Sequence, residues 1–417
     1  MSRSSPAAPV LESLRLALGF EALGAAAGNL TLGKAALDGK PVRVALIENR
    51  IASGSIGKAE VAKLLPLFAI AAREKSAVVL YLDCAGARVS EGLEALGAFR
   101  RLFREVLAAR IAGARLAVVL GRNCFGGASM LAHLGARRLL SPGTQLAMSG
   151  PSILAQTAGA NALDEVFRAI AEATIGAGAR AMASDANTVW SPALDLASWI
   201  RDALGTGAAT WGAYHERHEL LRARLEKGLT PRQPEALRRK ELERLYPQGY
   251  RVSECDGVVT GEANLDGATV PVLGLVGSSL VGAERAWRFA QAAWRLSIQA
   301  PARLEVLLDC ESHAPRLEDE KAVLTEFIVD MGVALAALAA NGTHVELTIL
   351  DRAGGGVYVA LAAPAARVAV VHGADIQVLP GSSVASILGA SHDAVGDIAD
   401  YRQAGVADEE RKLGLPP

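Results

Sequence analysis

Val79-Leu80-Tyr81-Leu82-Asp83 is an apolar run that ends in a turn of mostly small residues, Cys84-Ala85-Gly86-Ala87-Arg88, and passes into a helical segment reaching about Ala112. The pattern returns at once. Leu116 to Leu120 is apolar, Asn123-Cys124-Phe125-Gly126-Gly127-Ala128-Ser129 is a glycine turn, and after another helix and strand comes Met148-Ser149-Gly150-Pro151. A buried strand that feeds a small-residue turn and then a helix start lets a ligand touch the backbone. It also aims the free N–H groups of the helix start at that ligand. Two such turns converging on one anionic oxygen have the geometry of an oxyanion hole.

Upstream, Leu11 to Ala25 has helical periodicity, Leu37-Asp38-Gly39-Lys40 is a hairpin turn, and Val42 to Glu48 is a strand. Ser53-Gly54-Ser55-Ile56-Gly57 is a further glycine turn. Lys58 to Glu74 follows as a helix that Pro66 is expected to kink or split. Downstream, Ala155 to Ala183 is partly helical and Pro192 to Leu204 is another helix. Thr210 to Gln248 is dense in Arg, Lys and Glu. Its simplest reading is two charged amphipathic helices broken at Pro231 and Pro234, serving as a connector.

Beyond this connector the pattern restarts. Asp38 is echoed by Asp266, Gly57 by Gly282, Cys84 by Cys310, Gly127 by Gly356 and Gly150 by Gly381, at offsets of 225 to 231 residues. Leu379-Pro380-Gly381-Ser382 stands where the first half has Met148 to Pro151, and Gly354-Gly355-Gly356 follows the apolar run Val345 to Leu350. Near-constant offsets at ordered landmarks mark a duplicated domain. The expected domains are 10–208, a connector at 209–248, and 249–417. Repeated strand–turn–helix units give an α/β fold with a mostly parallel sheet, and ligands sit at the carboxyl ends of its strands.

The bulk numbers exclude several classes. At 417 residues and 51% hydrophobic content the chain can build two or three real cores, and a net charge of -1 gives no argument for nucleic acid or a membrane surface. Cys84, Cys124, Cys255 and Cys310 form no C-x-x-C, so no zinc site or other metal is expected. Met1 to Pro9 lacks the pattern of a secretion signal. The uncharged stretch from Leu139 to Leu163 is interrupted by Pro142, Gly143, Gln145, Pro151 and Gln156 and does not read as a membrane span. A cytoplasmic protein is the expectation.

These landmarks resemble the carboxyltransferase branch of the crotonase superfamily. Asp83 to Gly92 is similar to that family's SGGAR-x-x-E segment, with Ala85 at its first glycine. Phe125-Gly126-Gly127 is similar to its second Gly-Gly turn, and Ser53 to Gly57 to its GGS-x-G loop. Within the branch the chain resembles biotin-independent malonate decarboxylase. Cys124 to Gly127, Met148 to Pro151 and Gly176 to Arg180 look like its β subunit. Cys310 to Glu320 and Gly354 to Gly356 look like its γ subunit.

The resemblance implies two tandem crotonase-like (ββα superhelix) carboxyltransferase domains. It implies decarboxylation of a malonyl-type thioester through an enolate. The alternatives are a biotin-dependent acyl-CoA carboxyltransferase subunit and a non-catalytic assembly subunit. On this pattern Gly86 and Ala87 form one element of the first-half hole and Gly126 and Gly127 the other, with Gly355 and Gly356 as the second-half counterpart. Ser55, Gly57, Ser149, Gly150 and His313 are candidate substrate-binding residues, with Ser382 the second-half analogue of Ser149. Arg88 and Glu91 fall in the first turn of a helix: either Glu91 simply complements the helix dipole, or Arg88 orients a carboxylate or phosphate bidentately. Arg50, Lys58 and Lys63 are candidates for carrier phosphates.

No tightly bound cofactor is implied. The acyl group would ride on CoA or on the phosphopantetheine of an acyl-carrier protein, with a separate acyltransferase subunit and a homo-oligomer as implied partners. Gly127-Ala128-Ser129-Met130 also resembles the nucleophile turn of Clp-type serine peptidases. The histidine which those enzymes need at the end of the next strand is replaced by Ser149.

Overall fold

The computed structural model describes residues 8–160, 163–225, 229, 233–277, 280–379 and 396–414. The chain divides into two compact units. Unit 1 is Met1–Glu91, Arg101–Thr210 and Pro315–Glu326; unit 2 is Gly92–Arg100, Trp211–Ala314 and Phe327–Pro417.

In unit 1 the strands are β1 (Glu21–Ala22), β2 (Leu30–Leu37), β3 (Lys40–Ile47), β4 (Ala77–Cys84), β5 (Arg115–Phe125), β6 (Arg137–Leu140), β7 (Gln145–Ala147) and β8 (Asn187–Val189). Their order is β1-β2-β3-β4-β5-β6-β8, with β7 pairing with β5. β2 and β3 form the expected antiparallel hairpin, closed by Asp38 and Gly39 at positive φ (53° and 73°). From β3 onward every pairing is parallel. All eight residues of β4 are buried, as a central parallel strand covered on both faces requires.

The helices of this half of the sequence are α1 (Ala8–Leu18), α2 (Lys58–Glu74), α3 (Gly92–Ala112), whose residues Gly92–Arg100 belong to unit 2, α4 (Gly126–Leu134), α5 (Pro151–Thr157), α6 (Glu165–Ile175), α7 (Ala177–Ala183) and α8 (Leu196–Gly205). α1 and α8 cover the sheet with Leu14, Leu18, Trp199 and Ile200, against Val44, Leu46 and Val79. α2 does not split at Pro66. Pro66 and Ala62, whose carbonyl loses its helical partner, both lie on the exposed face, so water replaces the lost bond.

Unit 2 contains α9 (Trp211–Leu221), β9 (Glu235–Ala236), α10 (Lys240–Leu245), β10 (Tyr250–Cys255), β11 (Val258–Leu265), β12 (Ala268–Leu275), α11 (Ala283–Gln299) and β13 (Arg303–Cys310). Two helices follow: α12 (Leu317–Lys321), which lies in unit 1, and α13 (Leu324–Ala340), which begins there. Then come β14 (His344–Gly354), α14 (Gly355–Ala362), β15 (Arg367–Val371), β16 (Asp375–Gln377), α15 (Ile398–Ala404) and β17 (Glu409–Arg411). The sheet order is β17-β15-β14-β13-β12-β11-β10-β9, with β16 on β14.

The repeat is visible bond by bond. β11–β12 is an antiparallel hairpin, β12, β13 and β14 are parallel, and the register slips between Leu308 and Cys310 as it does between Leu82 and Cys84. Of the charged stretch, Pro231 lies outside the described residues. α9 and α10 are helical as expected, but β9 pairs with β10 between them. Leu242 and Leu245 belong to a buried cluster with Tyr246 and Val259, so α10 is anchored by its apolar face.

Candidate active site

The two small-residue turns of unit 1 meet. Gly86 has φ +103°, and a Cβ built on it would stand 2.9 Å from the Phe125 carbonyl oxygen and 3.7 Å from Gly126 Cα. The Cys84–Arg88 and Phe125–Gly127 turns therefore approach as closely as two backbones can, and only glycine fits the contact. The residue at positive φ is Gly86, not Ala85, which explains why alanine is tolerated at the first position of the segment. Gly86→Ala is expected to destabilise the protein by about 1–3 kcal/mol and to separate the two turns. Denaturant melts and turnover measured on the variant check this.

Four of the expected hole residues then sort by the state of their amides. Gly86 N–H donates to Cys84 Sγ at 3.3 Å, and Gly126 N–H donates to the Met148 carbonyl at 3.1 Å. Ala87 and Gly127 are half-buried, and their N–H groups have no hydrogen-bond partner among the described residues. Gly127 sits in the first turn of α4, where backbone donors have no helical acceptor. Two open donors thus lie on adjoining turns at the carboxyl ends of β4 and β5. The side chains beneath are inert. Burial pushes the Cys84 thiol up to about 12, and raises Cys124 likewise.

An ion cluster holds the first turn. Ile56 N–H donates to the Gly86 carbonyl and Arg88 N–H to the Ile56 carbonyl, both at 2.9 Å, stitching the Ser53–Gly57 loop to the turn. The Arg88 guanidinium is engaged within the protein. Its Nη1 donates to Glu91 at 2.9 Å, and its Nη2 donates to the Ser55 carbonyl at 2.8 Å and to Glu60. Glu60 is fully buried and also accepts from the amides of Asn29 and Gly57, each at 2.9 Å. Glu91 caps α2 rather than its own helix, accepting from Lys58 N–H at 2.7 Å.

Ser55 Oγ is buried without a partner among the described residues. Gly57 is small because Glu91 lies where its side chain would be, 2.2 Å from an added Cβ. Among the phosphate candidates, Arg50 pairs with Glu48 and Thr31, while Lys58 and Lys63 are exposed.

The second turn is held from below. Ser149 is buried and its N–H donates to Glu320 Oε1 at 2.8 Å, and Gly150 caps α5 beside the Phe125 ring. Arg180 donates to the Leu146 carbonyl and the Glu320 carbonyl, both at 2.7 Å, and pairs with Glu320 Oε2 at 3.3 Å. Neither Glu320 nor Glu60 stood out in the sequence. Glu60 had a local signal, since Gly57-x-x-Glu60 has the spacing of a capping box. Ser129 is fully buried, its Oγ donates to the Gly126 carbonyl at 2.7 Å, and His133 Nδ1 meets the Ser129 carbonyl rather than the hydroxyl. That is not a nucleophile–base pair.

Unit 2 repeats the stitching with other side chains. Val281 N–H donates to the Ser312 carbonyl at 3.0 Å and Ala314 N–H to the Val281 carbonyl at 2.8 Å. His313 therefore occupies the position of Ala87, and Ser312 that of Gly86. Gly355 has φ +55°, as Gly126 has +53°, but Gly355 and Gly356 are buried, and a Cβ on Gly355 would lie 2.2 Å from Ser312 Oγ. His313 is buried, its Nδ1 is 3.1 Å from Ser312 Oγ, and burial lowers it to about 4, which keeps it neutral at neutral pH. Ser382 lies outside the described residues. The pocket of about 770 Å³ in unit 2, lined by Arg239, Glu254, Asp256 and Arg285, does not include these turns.

Residues 12–188 match the family model of the carboxyl transferase domain. Over 137 residues the chain is 31% identical to the acetyl-coenzyme A carboxylase carboxyl transferase subunit beta of Synechococcus sp. (strain JA-3-3Ab), covering 33% of this chain and 44% of that protein. The chain thus spans less than half the length of this curated relative. A Pseudomonas malonate decarboxylase hetero-tetramer superposes with a TM-score of 0.45 at 21% identity, covering 54% of this chain and 91% of that one. The geranyl-CoA carboxylase beta subunit of P. aeruginosa gives 0.39 at 16% identity, covering 96% and 83%. The second half repeats the strand order and turn geometry of the first, so the chain carries two α/β units of the same plan in tandem, the first of which contains the matched segment. No helix among the described residues is long and apolar enough to cross a membrane.

Proposed function

We propose that this protein moves a carboxyl group at the α-carbon of an acyl thioester. The amides of Ala87 and Gly127 would hold the oxygen on which charge develops. The single observation that carries this reading is the pair of open, half-buried N–H groups on adjoining turns at strand ends. A donor aimed at a developing oxyanion lowers the barrier by about 3 kcal/mol, and no side-chain nucleophile is needed. When malonyl thioester is the donor, the bond from the α-carbon to the carboxylate breaks and its electron pair becomes the enolate. The departing CO2 is taken by the acceptor, and the enolate collects a proton.

The ranking of the two expected reactions is reversed. Carboxyl transfer to or from biotin on a separate carrier chain is favoured, because the relative matched over this region is named a carboxyl transferase subunit. A CoA thioester is favoured over an acyl-carrier protein on the same ground, and a homo-oligomer remains the expected assembly. Decarboxylation without biotin stands second, favoured by the similarity of Cys124 to Gly127 and Met148 to Pro151 to the decarboxylase β subunit. A separate acyltransferase subunit belongs to that second reading alone.

The test supplies malonyl-CoA with and without a biotinylated carrier and follows both CO2 and carboxybiotin. Carboxybiotin formed only with the carrier is the expected result. Rapid CO2 release in its absence selects decarboxylation. Neither product, across malonyl and methylmalonyl thioesters, would sink both.

A further inference from the structure

The segment Pro315–Glu326 is drawn from the second half of the sequence but lies among the residues of unit 1. Two of its side chains reach the peptide groups on either side of the Gly126–Gly127 turn by separate routes. Glu320 Oε1 accepts from Ser149 N–H at 2.8 Å, and the adjoining Met148 carbonyl accepts Gly126 N–H at 3.1 Å. Thr325 Oγ1 lies 3.1 Å from Ser129 Oγ, which donates to the Gly126 carbonyl at 2.7 Å. The N–H and the C=O of Gly126 are therefore each tied, through one intervening residue, to the same segment. Arg180 fixes the other end of this clamp on the Leu146 carbonyl.

We propose that Glu320 and Thr325 are positioning residues that fix both peptide planes flanking Gly126 and thereby aim the open Gly127 amide. This rests on the reading of that turn as an oxyanion hole. Neither side chain touches the half-buried face of the turn, since both are buried. Their effect passes through the backbone.

Ionisation of Glu320 gives a readout that a passive packing role lacks. Burial pushes its carboxyl up, while Arg180 and the amides of Ser149 and Met148 pull it down, leaving it at about 7. The charged groups facing it are Arg180 on α7 and Asp319 on its own helix. α6, which packs against α12, keeps its charged residues Glu165, Arg168 and Glu172 exposed. Protonation weakens the clamp on Arg180, so turnover should rise with pH through this range.

The experiment compares the full chain with its Glu320→Gln and Thr325→Val variants. It measures kcat and KM for malonyl-CoA across pH, and amide hydrogen exchange of a peptide spanning 124–131. The expected result for Glu320→Gln is a fall in kcat on the order of 10²-fold, as for a misaimed catalytic group, with KM nearly unchanged and the rising limb near neutrality gone. Exchange should accelerate in 124–131 while β4 and β6 stay protected. Thr325→Val should give the same pattern more weakly, and it carries the test should the Gln variant fail to fold. Unchanged kcat with unchanged exchange overturns the proposal, as does a loss of protection spread evenly over the unit. A wild type inactive on every malonyl-type thioester would instead refute the functional reading, leaving the exchange comparison to decide the positioning role.

Discussion

Gly127→Val reduces turnover by about 10²–10³-fold while leaving the far- and near-UV spectra and the melting temperature close to wild type. The loss equals that from removing one oxyanion donor. Gly127 is half-buried in the first turn of α4, and its N–H has no partner among the described residues. A branched side chain there stands between the amide and any oxygen approaching it. Valine costs under ~1 kcal/mol in helix propensity relative to alanine and is no worse than the glycine it replaces, so helix propensity gives the fold no reason to fail. Turnover within a few-fold of wild type would remove this turn from the site.

Arg88→Met should be the most damaging change to stability, costing about 3–5 kcal/mol at neutral pH. Among the described residues the guanidinium is the only side-chain cation paired with Glu60, a fully buried carboxylate. Losing it strands that charge and also unties Glu91 and the Ser55 carbonyl. The sign of the pH dependence follows. Burial alone would raise the Glu60 carboxyl, but hydrogen bonds from Arg88, Asn29 and Gly57 outweigh it and hold it below its ordinary 4.5. A carboxyl lowered by folding contributes stability that is complete above its unfolded value and lost as pH falls through its folded value. In Arg88→Met, acid neutralises the stranded carboxylate. The gap between variant and wild type is therefore widest near neutrality and narrows on acidification. Urea melts near pH 7 and near pH 4 measure it, and a gap of equal size at both would show that the Glu60 pair is not its source.

The elements legible in the sequence are those encoded locally. Asp38-Gly39 announced its hairpin, the uninterrupted apolar run of β4 announced a buried parallel strand, and Gly86 and Gly126 marked the turns, Gly86 by its φ and its closeness to the neighbouring backbone and Gly126 by its φ. The repeat was legible because each landmark keeps its place along the strand, down to the shared register slip before Cys84 and Cys310.

What was not legible depends on partners distant in sequence. Arg88 reads as a ligand-orienting cation until Glu60, 28 residues upstream, is seen beneath it. Glu320 reads as one of three adjacent acidic residues until Ser149 and Arg180, 171 and 140 residues away, close around it. His313 was singled out, but its standing in for Ala87 shows only in the matched bridges Ile56–Ala87 and Val281–His313. The resemblance to malonate decarboxylase rests on short segments such as Cys124 to Gly127. Such segments specify a turn; they carry little about which molecule accepts the carboxyl group.

An NMR titration of protein labelled with ¹⁵N at glycine and alanine shows whether the two open amides share one oxygen. The probe is a CoA thioether bearing a nitronate, a stable anionic mimic of a thioester enolate. The Ala87 and Gly127 resonances, assigned with Ala87→Ser and Gly127→Ser, should move downfield together and saturate together as the two amides take one oxygen between them. Saturable binding that leaves both resonances in place would contradict that reading.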